Sequence, residues 1–318
     1  MLTEFITLLD FAFGVTGPIF ALVFLGILLK KFEVIDDAFT LAASRLIYMV
    51  AMPTMLFMSM INTDIRSVVD GPYLVFAVCG SLVIFAASSL LCPLLVKERR
   101  DRGVFIQGTF RSNLAIVGLA FCFNAYGEPG LAKASILMSV LTILYNLLTV
   151  YTLSASLSSE QVRISKVLIG IVKNPLIAAL VIGIIFSLMA VPIPDVVRTS
   201  GEYLARMTLP LALISIGSAL SFSELKNSSS VSVMAVFAKL VIVPVTLTYT
   251  AYRWGIQGMD LGILFLMVAS PTAAASYIMV QNIGGNAKLA ASIVVISTIA
   301  SLITVSFGLA VLKQMGVI

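Results

Sequence analysis

The chain has 318 residues, 60% of them hydrophobic and 11% charged. A soluble domain carries about 45–50% apolar and about 25% charged residues, so the composition excludes one and indicates a membrane protein with no large extramembrane enzyme domain. There is no histidine, which excludes a Ser-His-Asp triad, an imidazole proton relay and a histidine-bound metal, and the net charge of +5 fits basic loops at a membrane face better than a nucleic-acid surface.

In chain order, apolar windows predict an all-α polytopic membrane fold of ten transmembrane helices, near 11–29, 39–61, 72–96, 104–123, 131–153, 167–190, 197–220, 231–252, 260–281 and 288–312. Glu4 and Asp10 precede the first span where a signal peptide would be basic, so that span is expected to be a mature helix. Cys79, Cys92 and Cys122 are scattered through apolar runs with no Cys-x-x-Cys pair and read as small buried hydrophobes. Lys30, Lys31, Lys97, Arg99, Arg100, Arg102, Arg163, Lys166, Lys226 and Lys288 fall in the odd-numbered loops, against Arg66, Lys133, Arg198, Arg253 and Lys313 on the other side. The positive-inside rule then makes the odd loops cytoplasmic and turns both termini outward, to the periplasm or the exterior.

Five spans per half require any internal repeat to be inverted in the membrane. An offset of 157 residues superposes Pro18 on Pro175, Gly26 on Gly183, Pro53 on Pro210, Gly127 on Gly284 and Ala134-Ser-Ile136 on Ala291-Ser-Ile293. The expected units are therefore 1–157 and 158–318, two inverted five-helix repeats. Accidental similarity of two hydrophobic halves is the competing reading.

The carboxylates all fall in or beside predicted loops, whereas Arg45, Arg111, Arg206 and Lys239 lie inside spans. Proton-coupled exchangers and intramembrane aspartyl proteases, which place Asp or Glu in the bilayer core, are disfavoured accordingly. Arg45, Arg206 and Lys239 each sit where a long side chain snorkels to an interface or forms a structural ion pair. Arg111 differs, because Ser112 and Asn113 follow it in an otherwise apolar span.

Asn113 lies eleven residues after Arg102, and Pro271 eleven after Asp260. At about 1.5 Å per residue both are ~16 Å into a core of ~30 Å. Ser270-Pro271-Thr272 reads as an N-cap residue followed by a proline at the first position of a new helix, and Ser112-Asn113 as the cap of a second half-helix. Two helix N-termini meeting at midplane would bind an anion. Their amides, the Ser112 and Thr272 hydroxyls, the Asn113 amide and Arg111 are the candidate donors. A kink at Pro271 and an interhelical hydrogen bond at Asn113 are the competing readings.

Arg111-Ser-Asn-Leu-Ala-Ile-Val-Gly118, Leu209-Pro-Leu-Ala-Leu-Ile-Ser-Ile-Gly217 and Pro271-Thr-Ala-Ala-Ala-Ser-Tyr277 resemble segments of the auxin efflux carrier family of transporters. The resemblance covers nearly the whole chain. It implies a scaffold of the helices near 11–61 and 167–220, a transport unit near 72–153 and 231–312, broken fourth and ninth helices crossing at the substrate site, and a homodimer. Carried over by position, the crossover motif falls on Asn113, Pro271 and Thr272; span four has no proline at the break. With only about 154–166 between spans five and six, the chain resembles a bacterial, inner-membrane member, for which malate or malonate is the implied kind of substrate.

The function expected is a secondary transporter of a small organic anion working by alternating access, without a cofactor, a metal or a nucleic-acid partner. Its substrate-binding candidates are Arg111, Ser112, Asn113, Ser270, Pro271 and Thr272. Tyr145 and Asn146 either line the cavity or pack the core, and Pro18, Pro53, Pro175 and Pro210 are expected to bend or break scaffold helices. An anion channel, with a pore ringed by basic residues, and a membrane-embedded enzyme are the alternatives.

Overall fold

The computed structural model describes residues 2–62, 70–157, 174–220 and 229–318. Arg66, Arg163, Lys166, Lys226 and the expected start of the sixth span lie outside them. Among the described residues there is no strand. The helices are α1 (Leu2–Lys31), α2 (Asp37–Leu46), α3 (Met52–Ile61), α4 (Gly71–Leu95), α5 (Arg99–Phe110), α6 (Leu119–Leu157), α7 (Pro175–Leu188), α8 (Asp195–Ala219), α9 (Ser230–Phe237), α10 (Val243–Arg253), α11 (Gly258–Ala269), α12 (Ala275–Ile283) and α13 (Ala287–Gln314). Several of these segments, such as Ala12–Lys31, Gly71–Leu95 and Ala287–Gln314, are long and apolar enough to cross a bilayer, and α7 and α11 are shorter apolar helices. The protein is a multi-pass membrane protein.

Polar residues start the helices where the first amides need acceptors. Asp36 accepts from the Phe39 amide at 2.7 Å, Asp70 from Tyr73 at 3.1 Å, Asn174 from Leu176 at 2.9 Å and Asn286 from Leu289 at 3.1 Å. Ser229 and Ser232 form a reciprocal capping box before α9. The 39 residues of α6 would span about twice the hydrocarbon core as one straight rod. The break is at Gly127, whose φ of 61° and ψ of −150° end one helix and begin the next.

Wide π turns at Ile47–Ala51 and Ala238–Ile242 join α2 to α3 and α9 to α10. Each stands just before a proline, Pro53 or Pro244. A proline ring clashes with the carbonyl four residues back and offers no N–H to it, and the wider turn relieves both problems. Pro18 and Pro210 lie inside α1 and α8, which continue past them. Pro175 is the first residue of α7, behind the extended Asn174 cap, where its missing N–H costs nothing.

Small residues bring helices into backbone contact. A Cβ on Gly26 of α1 would lie 2.1 Å from the Ile214 carbonyl oxygen of α8, and one on Gly217 of α8 would lie 1.9 Å from that of Val23 in α1. Gly183 of α7 packs in the same way on Met60 and Phe57 of α3. A second group forms around α5 and α11, whose residues 103–110 and 261–269 are all buried. Segments buried on every side belong at the centre of such a group.

Candidate functional site

Both central helices stop inside the protein. α5 ends at Phe110, and Arg111 (φ −83°, ψ 99°) and Asn113 (φ −79°, ψ 68°) leave the helical region before a π turn at Leu114–Gly118 leads into α6. α11 ends at Ala269, and α12 begins only at Ala275. The two interruptions lie side by side. The Asn113 amide donates to the Pro271 carbonyl at 2.7 Å and the Ala273 amide to the Arg111 carbonyl at 3.1 Å, which sets Ser112 opposite Thr272 in an antiparallel bridge. Backbone groups released by each break are thus satisfied by the other, as an apolar interior demands.

This pairing moves the expected helix starts. Ser270 is not an N-cap and Pro271 does not open a helix. Ser270 terminates α11, its hydroxyl donating to the Met267 carbonyl at 2.8 Å, and α12 starts four residues after Pro271, whose carbonyl, an acceptor for the first turn of a helix beginning there, is taken by the Asn113 amide. Asn113 stands where a cap would, but its side chain makes no capping bond. The first bond into the new helix is Gly118 N–H to the Asn113 carbonyl, so the amides of Leu114–Val117 precede the helical ladder. Gly118 itself leaves room for α11, since a Cβ there would meet the Met267 sulfur at 2.9 Å.

The hydroxyls expected to hold a carboxylate are already engaged. Thr272 Oγ1 donates to the Gly108 carbonyl at 2.8 Å, and its amide donates to Ser297 Oγ on α13 at 3.1 Å. Ser112 Oγ donates to the Val268 carbonyl at 3.3 Å and accepts from Lys239 Nζ at 2.6 Å. Asn113, 8% exposed, has no side-chain hydrogen bond among the described residues.

Arg111 is buried, and its guanidinium donates to Asn146 Oδ1 at 2.9 Å and to Thr149 Oγ1 at 3.0 Å, both on α6. Asn146 therefore orients the arginine. Tyr145 packs its ring edge-on against Phe110, centroids 5.4 Å apart, at the end of α5. Lys239 does not snorkel: it is 0% exposed and also donates to the Val268 carbonyl at 2.6 Å. Arg45 is exposed, and Arg206 is exposed with Glu202 3.8 Å away. Among the described residues Arg111 and Lys239 are the buried charges, and both are cations. Thr149 and Ser297 went unassigned in the sequence; hydroxyls spaced along apolar spans are the one signal that marks such partners.

A cavity of about 330 Å³ lies between α1, α3 and α8 on one side and α6 on the other. Pro18, Pro210, Asn124, Glu128, Glu202 and Arg206 are among its lining residues. It does not include the paired breaks. Ala120 on its wall is seven residues along the helix from Asn113, about 10 Å at the helical rise.

A family model described as "Membrane transport protein" matches residues 13–309. An "Uncharacterized transporter" of Methanothermobacter thermautotrophicus is 24% identical over 90% of this chain and 93% of its own, and one of Methanocaldococcus jannaschii is 23% identical over 90% and 94%. A Rhizobium meliloti protein named "Putative malonate transporter" is 24% identical over 95% of this chain and 96% of its own. With a family match running through both interrupted helices and almost the full length, the chain belongs to the membrane transport protein family, that of the auxin efflux carriers.

Proposed function

We propose that this transporter is a secondary carrier of a small organic anion, held by a carboxylate at the paired breaks. One observation carries the reading: the buried charges there, Arg111 and Lys239, are cations whose hydrogen bonds go to neutral oxygens, with no buried carboxylate among the described residues. Such an interior favours an anionic guest. The Asn113 side-chain amide and the free amides that open the Leu114 turn are the donors nearest the break, and Arg111, fixed by Asn146 and Thr149, supplies charge beside them.

Alternating access would move a unit built on α4–α6 and α9–α13 against a scaffold of α1–α3, α7 and α8. The close glycine contacts within that scaffold and the cavity on its border with α6 support the division. An inverted relation between 1–157 and 158–318 is supported by Gly127 and Gly284, which stand 157 residues apart and share a positive φ of 61° and 80° at the end of a post-break helix. A homodimer in the inner membrane with both termini outward completes the proposal. The name of the Rhizobium meliloti relative puts malonate first among the anions to try.

The test is uptake into proteoliposomes across a panel of mono- and dicarboxylates. Saturable uptake, accelerated by the same anion inside, is the expected result for a carrier. Conductance without saturation would point to a channel, and indifference to every carboxylate would end the organic-anion reading.

A further inference from the structure

Lys239 lies on the Ala238–Ile242 π turn, fully buried, and its ammonium is held by oxygens alone, Ser112 Oγ and the Val268 carbonyl, each at 2.6 Å. Ser112 belongs to the first break and Val268 to the last turn of α11 before the second, so one ammonium touches both interrupted helices. Hydroxyl and carbonyl oxygens are what a hard cation binds in a protein, and here the chain itself brings the cation. A buried ammonium is costly unless its charge is balanced. Neither bond to Lys239 involves a carboxylate, and the other buried charge is Arg111, next to Ser112 in the chain, whose guanidinium is turned to Asn146 and Thr149 on α6. An anion bound at the break would balance the charge of both.

We propose that Lys239 is the built-in cation of the anion site: a positioning residue that clasps both breaks through Ser112 and Val268 and, as the ammonium, sets a positive charge behind them, so that anion binding needs no accompanying metal cation. This rests on the organic-anion reading and assigns a charge source to it. The ammonium remains behind Ser112 and acts on the anion through the position and polarity of the break, which separates its role from that of a simple tether between α9–α10 and α11.

The test uses the full-length protein in detergent, with malonate as the probe, binding read by calorimetry and folding by thermal unfolding. The unaltered protein is expected to bind malonate equally in sodium and in choline buffers. Lys239→Met, which keeps most of the volume and removes the charge, is expected to stay folded and to bind about thirtyfold more weakly or worse, the scale for losing one charge of a buried pair. Lys239→Ala is expected to regain affinity with propylammonium, which replaces the deleted atoms and their charge, and not with 1-propanol, which replaces the volume alone. Undiminished affinity in Lys239→Met, a sodium requirement in the unaltered protein, or equal rescue by 1-propanol would each overturn the role of Lys239 and leave the anion site standing. Failure of the unaltered protein to bind malonate or any other carboxylate of the panel would instead overturn the organic-anion reading, and this inference with it.

Discussion

The two helix breaks share a backbone arrangement and differ in what holds them. The second contains Pro271 and is fixed by neutral groups: Ser270 on its own helix, the Thr272 hydroxyl on Gly108 and the Thr272 amide on Ser297. The first has no proline and is fixed by charge, with Arg111 reaching to α6 and Lys239 reaching in to Ser112. A helix in lipid loses hydrogen bonds when it opens, and there are two ways to make that tolerable: remove the donor with a proline, or give the freed groups ionic partners. Arg111 belongs to the first break alone, whereas Lys239 joins the two, donating to Ser112 of the first and to the Val268 carbonyl at the end of α11. The pair of breaks, two-sided in backbone, therefore leans to one side in charge.

Substitutions on the two sides should differ accordingly. The largest effect is expected for Arg111→Met, which should weaken malonate binding by about 2 kcal/mol or more, measured by calorimetry, because it removes a buried charge beside the proposed anion site. If affinity survives, the one-sidedness has no bearing on substrate. Thr272→Val should lower stability by about 1–3 kcal/mol through the orphaned Gly108 carbonyl, seen as a reduced unfolding temperature, with malonate affinity retained. A loss of affinity with no loss of stability would place the second break in direct contact with the anion. Asn113→Ala should reduce affinity by roughly tenfold, the value of about one hydrogen bond to a charged group, without a change in unfolding temperature. The smallest effect is expected for Pro271→Ala. The Asn113–Pro271 and Ala273–Arg111 bonds use backbone atoms that alanine also has, so the break should persist with a stability change of about 0.4–1 kcal/mol. Restored helicity through residue 271 in a structure of that variant would show that proline, and not the pairing, makes the second break.

Much of this was legible in the sequence. The spans follow from apolar run length, and the two breaks were found at equal depth from the Arg102 and Asp260 ends by counting helical rise. What failed to read out was direction around the helix axis. Lys239 is eight residues into its span and appeared able to reach an interface. The buried face through Ser232, Ala235, Val236, Lys239, Leu240 and Val243 instead turns it inward, and in a span apolar on all sides no periodicity marks that face. Capping was misplaced for a related reason. Ser270 and Pro271 carry a helix-start signal, but the bridge to Ser112, a contact across 160 positions of sequence, occupies the Pro271 carbonyl and goes with a helix that starts only at Ala275. Asn146 steers Arg111 and Tyr145 packs on Phe110 beside it, and neither is among the lining residues of the cavity between α1, α3, α8 and α6.

The glycine contacts between α1 and α8 have a mechanical consequence. At Gly26 and Gly217 each helix rests on a carbonyl oxygen of the other, with no side chain between them whose rotation could absorb a displacement. Such a joint has no gears: it can separate or stay, and separation would strip two backbones of their closest packing. On α1 the Thr16 hydroxyl meets Ser306 of α13 at 2.8 Å, a contact between rotatable groups that can break and re-form in another register. The first helix is thus welded along one face and lubricated on another, and the direction in which this protein can yield is set by which face is which.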